Sequence, residues 1–283
     1  MKKYFPFLAF LFIITLVSCE PGATGSKDSQ SKQPAKEKSR EGDKVAKNKA
    51  DGVAVKEFND KFALDSHDAN SPMMNIKISL PFANGDDERA KKINREIAYA
   101  ALDNNEENPE TAIDMYVDAR KNDFNSLYPD YVNVKNMGES TFWPDYNYEI
   151  SGEFIPSREG LLCCKINKVV FEGGPHGLES TYYVTFDSKS GKEVTLDDIF
   201  KENYNEELCS MLVDAFVKQL GVSSFDEVRE MGFFEDMDLY ATSNFHIDDK
   251  GITFHYNRYD IAPYAAGESV VTIGLDKLKN ILK

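Results

Sequence analysis

From Glu20 to Gly52 the chain contains no aromatic residue and a single valine, while Lys, Ser, Gly and Glu dominate. A segment so poor in apolar side chains buries too little surface to offset the entropy of ordering its backbone, so it reads as a flexible tether. A packed core must therefore be built from the 231 residues that run from Val53 to Lys283.

In front of the tether stands MKKYFPFLAFLFIITLVSC: two lysines, an apolar run from Tyr4 to Leu16, and a small-residue step into Cys19. About 13 apolar residues fall short of the ~20 that a helix needs to cross a hydrocarbon core, and the run has signal-peptide dimensions. Leu16-Val17-Ser18-Cys19 has the form of a lipobox, in which the cysteine is acylated and becomes the first mature residue. The expected order is a signal peptide over 1–18 and a lipidated, disordered tether over 19–52, anchored at Cys19 without a spanning helix. Glu20, rather than Asp, after that cysteine points to the outer membrane or cell surface of a two-membrane cell, within the periplasm-facing envelope.

Charge separates the two parts. The tether carries eight Lys/Arg and six Asp/Glu, whereas residues 53–283 hold 23 basic and 42 acidic side chains, a balance of −19. So acidic a body repels polyanions, which excludes nucleic acid as a partner and disfavours docking on anionic lipid. A cationic protein would be steered towards it.

Within the folded part, Ile76, Ile78, Leu80 and Phe82 alternate with polar residues and predict a half-buried strand. Asp86 and Asp87 predict the start of a helix running to about Leu102, and Asn108-Pro109 predicts a second. A β-rich stretch from Tyr146 to Phe186 follows, broken by PSREG and GGPHG. Thr195 and Asp198 form a capping box, a helix spans 206–220 up to Gly221, and a shorter one follows Ser224. Two strands around DDKG and a final SVVTIGL strand close the chain. Helices and strands come in blocks, which argues for an α+β fold with antiparallel sheets and helices packed on one face. The expected division is into two subdomains, 53–156 and 157–283.

Few residues have the spacing of a chemical site. Alternation in LLCCKINKVVF puts Cys164 on the core side with Leu162 and Ile166, and Cys163 opposite. Cys209 lies on the apolar face of its helix, so a Cys164–Cys209 disulfide and two buried thiols both remain open. In NFHIDDKGITFHY a turn at Asp248–Gly251 pairs Phe245 with Phe254 and Ile247 with Ile252. That leaves His246 and His255 as diagonal neighbours on the other face, a candidate ligand pair with Asp260 as an outlying third group. VTFDSKSG has the form of a hairpin turn at Asp187 to Gly191. Phosphate loops, nucleophile elbows and zinc-protease motifs are absent, and neither a cofactor nor a metal is expected.

Three segments carry a family resemblance: Gly173-Gly174-Pro175-His176-Gly177, the run from Gly191 to Phe200, and Tyr259-Asp260-Ile261-Ala262-Pro263-Tyr264-Ala265-Ala266-Gly267. Together they resemble a bacterial cell-envelope domain family of unknown function. It is found in the extracellular part of the lysozyme-sensing anti-sigma factor RsiV and beside the deacetylase domain of PdaC. The resemblance covers about 165–283, and 55–160 is more loosely similar to the companion N-terminal domain. It implies a turn at Gly173, Gly174, His176 and Gly177 with a buried, hydrogen-bonding His176 ring, and a C-terminal motif at Tyr259, Pro263, Tyr264 and Gly267. It further implies a non-enzymatic binding module for lysozyme or another cationic wall-acting protein, the alternative being a protein that binds or hydrolyses cell-wall glycan. Candidate anchors are Phe142, Trp143, Tyr146, Tyr259 and Tyr264.

Overall fold

The structure, a computed structural model, describes residues 52–138 and 143–283. The signal sequence, Cys19, the tether and Phe142 lie outside the described residues.

Five strands form the first sheet in the order β1-β2-β3-β4-β5. They are β1 (Val53–Ala63), β2 (Met73–Ala83), β3 (Tyr146–Ile155), β4 (Leu161–Phe171) and β5 (Leu178–Asp187). All neighbours are antiparallel except β2 and β3, which run parallel. That exception to the antiparallel expectation has a topological cause. The connection between β2 and β3 holds three helices, and only such a long crossover returns a chain to start a parallel neighbour.

Those helices are α1 (Glu88–Leu102), α2 (Pro109–Asn125) and α3 (Tyr128–Asn136). Asp87 caps α1 by accepting from the Ala90 N–H, and Asn108 caps α2 by accepting from the Thr111 N–H. Each cap is worth about 1 kcal/mol. Helix α1 turns Ala90, Ile93, Ile97, Ala98 and Ala101 onto Ile76, Ile78, Leu80 and Phe82 of β2, all of them buried in one core. Asn94 sits within that interface. Its side chain accepts from Ala83 N–H (2.7 Å) and donates to Ala83 C=O (3.1 Å), closing the end of the strand.

The second core belongs to the C-terminal part. Helices α4 (Leu196–Ile199), α5 (Asn205–Leu220) and α6 (Phe225–Glu230) accompany a three-stranded antiparallel sheet, followed by α7 (Leu275–Leu278). The sheet is ordered β6 (Phe245–Ile247), β7 (Gly251–Tyr256), β8 (Ser269–Gly274). Thr195 and Asp198 form the capping box of α4, and α5 ends at Gly221 with φ 69°. Leu208, Leu212 and Phe216 of α5 pack with Phe245, Ile252, Phe254 and Val271.

The α+β class therefore stands, with two cores. Residue 156 does not separate them. It lies in the connection between β3 and β4, which pair with each other through Ile155 opposite Cys163. The first core extends to Phe186 and the second begins at Leu196. Among the described residues no helix is long and apolar enough to cross a membrane.

Candidate functional site

The two motif segments that lie farthest apart in sequence meet at one surface. Gly173 and Gly174 adopt φ of 88° and 94°, which lets the β4–β5 connection double back. Gly177 is needed for another reason: a Cβ there would stand 3.3 Å from the Val170 carbonyl. The turn presents His176 outward, exposed rather than buried. Its ring stacks on Tyr264 with centroids 4.7 Å apart and planes at 12°. Sequence reasoning expects a buried hydrogen-bonding ring; the glycines leave no bulk around His176 to enclose it.

Tyr264 in turn donates its hydroxyl to Gly177 C=O at 3.2 Å, tying the two turns together. The Arg258 guanidinium lies 5.2 Å from the Tyr264 ring centre and 3.6 Å from Glu179 Oε2. Tyr259 is 5.6 Å from Tyr264 and is 63% exposed, far more than a tyrosine that serves a core. Its φ is +71°, a region that costs a residue with a Cβ about 1 kcal/mol or more. Such strain persists only where surrounding contacts impose it.

The source of that constraint is Asn257. Buried at the end of β7, it accepts from Thr181 N–H (2.7 Å) and donates to Thr181 C=O (3.1 Å) on β5. Its own N–H bonds Asp260 Oδ2 (2.7 Å), and Asp260 N–H returns to Asn257 C=O (3.1 Å). Burial holds the Asp260 carboxyl above its usual range, opposed by that Asn257 N–H. Asp260 thus closes a turn, and it is not brought beside the histidine pair as an outlying ligand. Tyr259 therefore rides on a rigid clamp beside Tyr264, whose ring carries His176 and Arg258, and together they form a ledge.

The other expected anchors lie elsewhere. Trp143 packs edge-on against Tyr131 (5.7 Å) and Tyr146 against Phe124 (5.2 Å), both flanking the first core. They are structural aromatics, recruited because α2 and α3 supply apolar partners.

The hairpin register is as the turn predicts, with Phe245 opposite Phe254 and Ile247 opposite Ile252. Its second face is buried at His255 and half-buried at His246. It meets the outer face of the first sheet, where Tyr183 lies 4.7 Å from His246 and 5.7 Å from His255. His255 is 3% exposed. His246 Nδ1 and both His255 nitrogens lack an aligned hydrogen bond, although Glu268 Oε2 stands 3.3 Å from His255 Nε2. Burial holds both imidazoles below their usual pKa. Tyr183 packs against both rings, and among the described residues no group of three His, Cys, Asp or Glu is placed to hold a metal ion. Cys163 is fully buried at the same junction, its thiol pushed up to about 11 by burial. Cys164 is in the first core and Cys209 on α5; both are free thiols.

Asp187 accepts from the Ser190 N–H and hydroxyl, each at 2.7 Å, and so closes a turn. Near the first helices an open cleft of about 630 Å³ is lined by Asn84, Asp86, Lys91, Asn105, Glu106 and Glu110. Lys56 pairs with Glu110 at its mouth and holds that carboxyl below its usual range.

Comparison with known proteins places a domain described as a protein of unknown function (DUF3298) at residues 197–276. A crystal structure of a DUF3298-family protein from Bacteroides fragilis is 26% identical, with a TM-score of 0.73, covering 82% of this chain and 93% of that one. A second, from Pseudomonas aeruginosa, is 15% identical with a TM-score of 0.56, covering 82% and 95%, and shares the fold. No curated protein matches.

Proposed function

We propose that the protein is a lipid-anchored envelope protein whose folded part is a non-enzymatic binding module for a cationic wall-acting protein. Lysozyme is the first candidate, from the resemblance of the 173–177 and 259–267 segments to the RsiV extracellular region and the PdaC-associated domain. The observation that carries this reading is the ledge: an exposed tyrosine held at unfavourable φ by a buried asparagine clamp, beside stacked His176 and Tyr264. Rigid aromatics of this kind supply the anchors of protein interfaces at low entropic cost.

Charge supports the same partner class. Residues 193–238 alone carry thirteen Asp/Glu against three Lys/Arg. A field of that sign raises encounter rates with a basic protein by roughly 10- to 10³-fold and weakens with salt. Stacked, exposed rings also suit the apolar face of a pyranose, which keeps cell-wall glycan as the second reading.

Calorimetry with lysozyme at ~0.15 M and ~0.5 M salt tests the proposal. Specific binding survives the higher salt and exceeds that of cytochrome c; equal binding to both proteins, or loss of all binding, sinks it. Binding of soluble wall fragments instead would favour the glycan reading. For the anchor, Cys19→Ala should release the protein from membrane fractions, and unchanged association would refute lipidation.

A further inference from the structure

The first sheet has two edges, and the chain treats them differently. Along β5, Asn257 and Asn244 act as a substitute strand. Asn244 accepts from Tyr183 N–H (2.8 Å) and donates to Thr181 C=O (2.7 Å), while Asn257 takes the Thr181 N–H. At the opposite edge β1 runs for 11 residues in unbroken register with β2, without a proline or bulge. An edge of that length is a template for another strand.

Among the described residues its free groups can be identified. The Gly52 C=O accepts from Asn84 N–H at 2.8 Å, which sets the phase of the ladder. Residues 54, 56, 58, 60 and 62 then bond β2, and Val53, Val55, Glu57, Asn59 and Lys61 direct N–H and C=O outward. Consistent with this, Lys61 N–H is taken by the neighbouring Asp60 carboxylate at 2.8 Å. Phe58 and Phe62 face the core, whereas Glu57, Asn59 and Lys61 are exposed on the other side and Val55 is 57% exposed.

We propose that β1 pairs antiparallel with β1 of a second copy of this chain. The strand is the neutral stretch of an acidic body. It holds Lys56 and Lys61 against Glu57 and Asp60, in a folded part that stands at −19. Two identical molecules repel over most of their surfaces, and β1 offers contact without net repulsion. With the two-fold axis at Asn59, Glu57 of each copy lies opposite Lys61 of the other, on the exposed face. Val55 lies opposite Ala63. Directly opposed unlike charges stabilise a strand pair, and like charges destabilise it. Pairing exchanges the local Asp60 contact at Lys61 N–H for an inter-chain bond. The contact area of one strand pair places such a dimer in the weak class, with dissociation on the order of micromolar or above.

Sedimentation velocity of the full chain over ~1–200 μM tests this. A concentration-dependent dimer is expected. Glu57→Lys sets an introduced ammonium against Lys61 in both halves of the interface and should weaken dimerisation at least tenfold. It does so although it makes the whole molecule less negative, which would otherwise promote association. Adding Lys61→Glu restores opposition and should recover the affinity to within about threefold. Both sites are exposed, so unfolding midpoints should remain unchanged. A monomer at every concentration, a dimer insensitive to Glu57→Lys, or a loss not recovered in the double variant would overturn the proposal.

Discussion

Histidine occurs in two settings in the second half of this chain, with opposite physical consequences. At the ledge His176 is exposed, stacked on Tyr264 and carried on a glycine turn; at the junction of the two sheets His246 and His255 are enclosed around Tyr183. The ledge holds strained backbone to present side chains to solvent. The junction leaves His246 Nδ1 and both His255 nitrogens without an aligned hydrogen bond where two sheets come together. Changes at the ledge should therefore alter recognition with little effect on folding, and changes at the junction should do the reverse.

The sharpest break in that contrast lies at Asn257, which serves both regions. Asn257→Leu keeps the volume but leaves Thr181 N–H without its acceptor and Thr181 C=O with Asn244 alone, and should destabilise by about 1–3 kcal/mol in urea unfolding. It should also release the Tyr259 turn, so this one substitution should damage both stability and partner binding. Next in size is Tyr183→Ala, which removes the ring packed against both histidines and should cost about 2 kcal/mol by the same measurement. Partner binding should be untouched.

Acidification probes the junction. Burial lowers the pKa of both imidazoles in the folded state, Glu268 opposing this at His255, Asp248 opposing it at His246, and Lys165 adding to it at both. As pH falls through about 6.5 the unfolded chain binds protons first. Stability is thus complete above that pH and declines below it towards the folded-state values. The His246→Gln/His255→Gln pair should flatten thermal-unfolding midpoints between pH 7 and 5; an equal slope in that variant would place the acid sensitivity elsewhere. The smallest effect is expected at Tyr259. Tyr259→Gly removes the Cβ penalty at positive φ and should raise stability by roughly 0.5–1 kcal/mol, while lowering affinity for the basic partner about tenfold.

Legibility in the sequence follows the same division. Local signals are readable: the caps at Asp87 and Asn108, the Thr195–Asp198 box, Gly221, and the hairpin register that opposes Ile247 and Ile252. Strand β1 escapes because an edge strand with Lys, Glu, Asn and Asp along it lacks apolar alternation. Helix α3 buries only Tyr131, whose hydroxyl reaches Asp68 at 2.7 Å, so no amphipathic face announces it. The contact between His176 and Tyr264 joins residues 88 apart through tertiary pairing of β5 with Asn257. Cys163 reads as solvent-facing because alternation within β4 carries no information about a second sheet laid across it. Motif resemblance singles out His176, Tyr259 and Tyr264 without saying that they touch.

The parallel pairing of β2 with β3 has a consequence for how the molecule assembles. Met74 must find Tyr146, and Ser79 must find Ser151, across a crossover of three helices. Loop closure of that span is entropically costly, and contacts distant in sequence slow folding. The β1–β2 hairpin and α1 can form from local contacts as soon as residue 102 is available. The inner edge of β2 then waits, unpaired, until β3 has been made. During that interval the apolar face of Ile76, Ile78 and Leu80 depends on α1 alone, and this is the stage at which the folding chain is most exposed to misassociation.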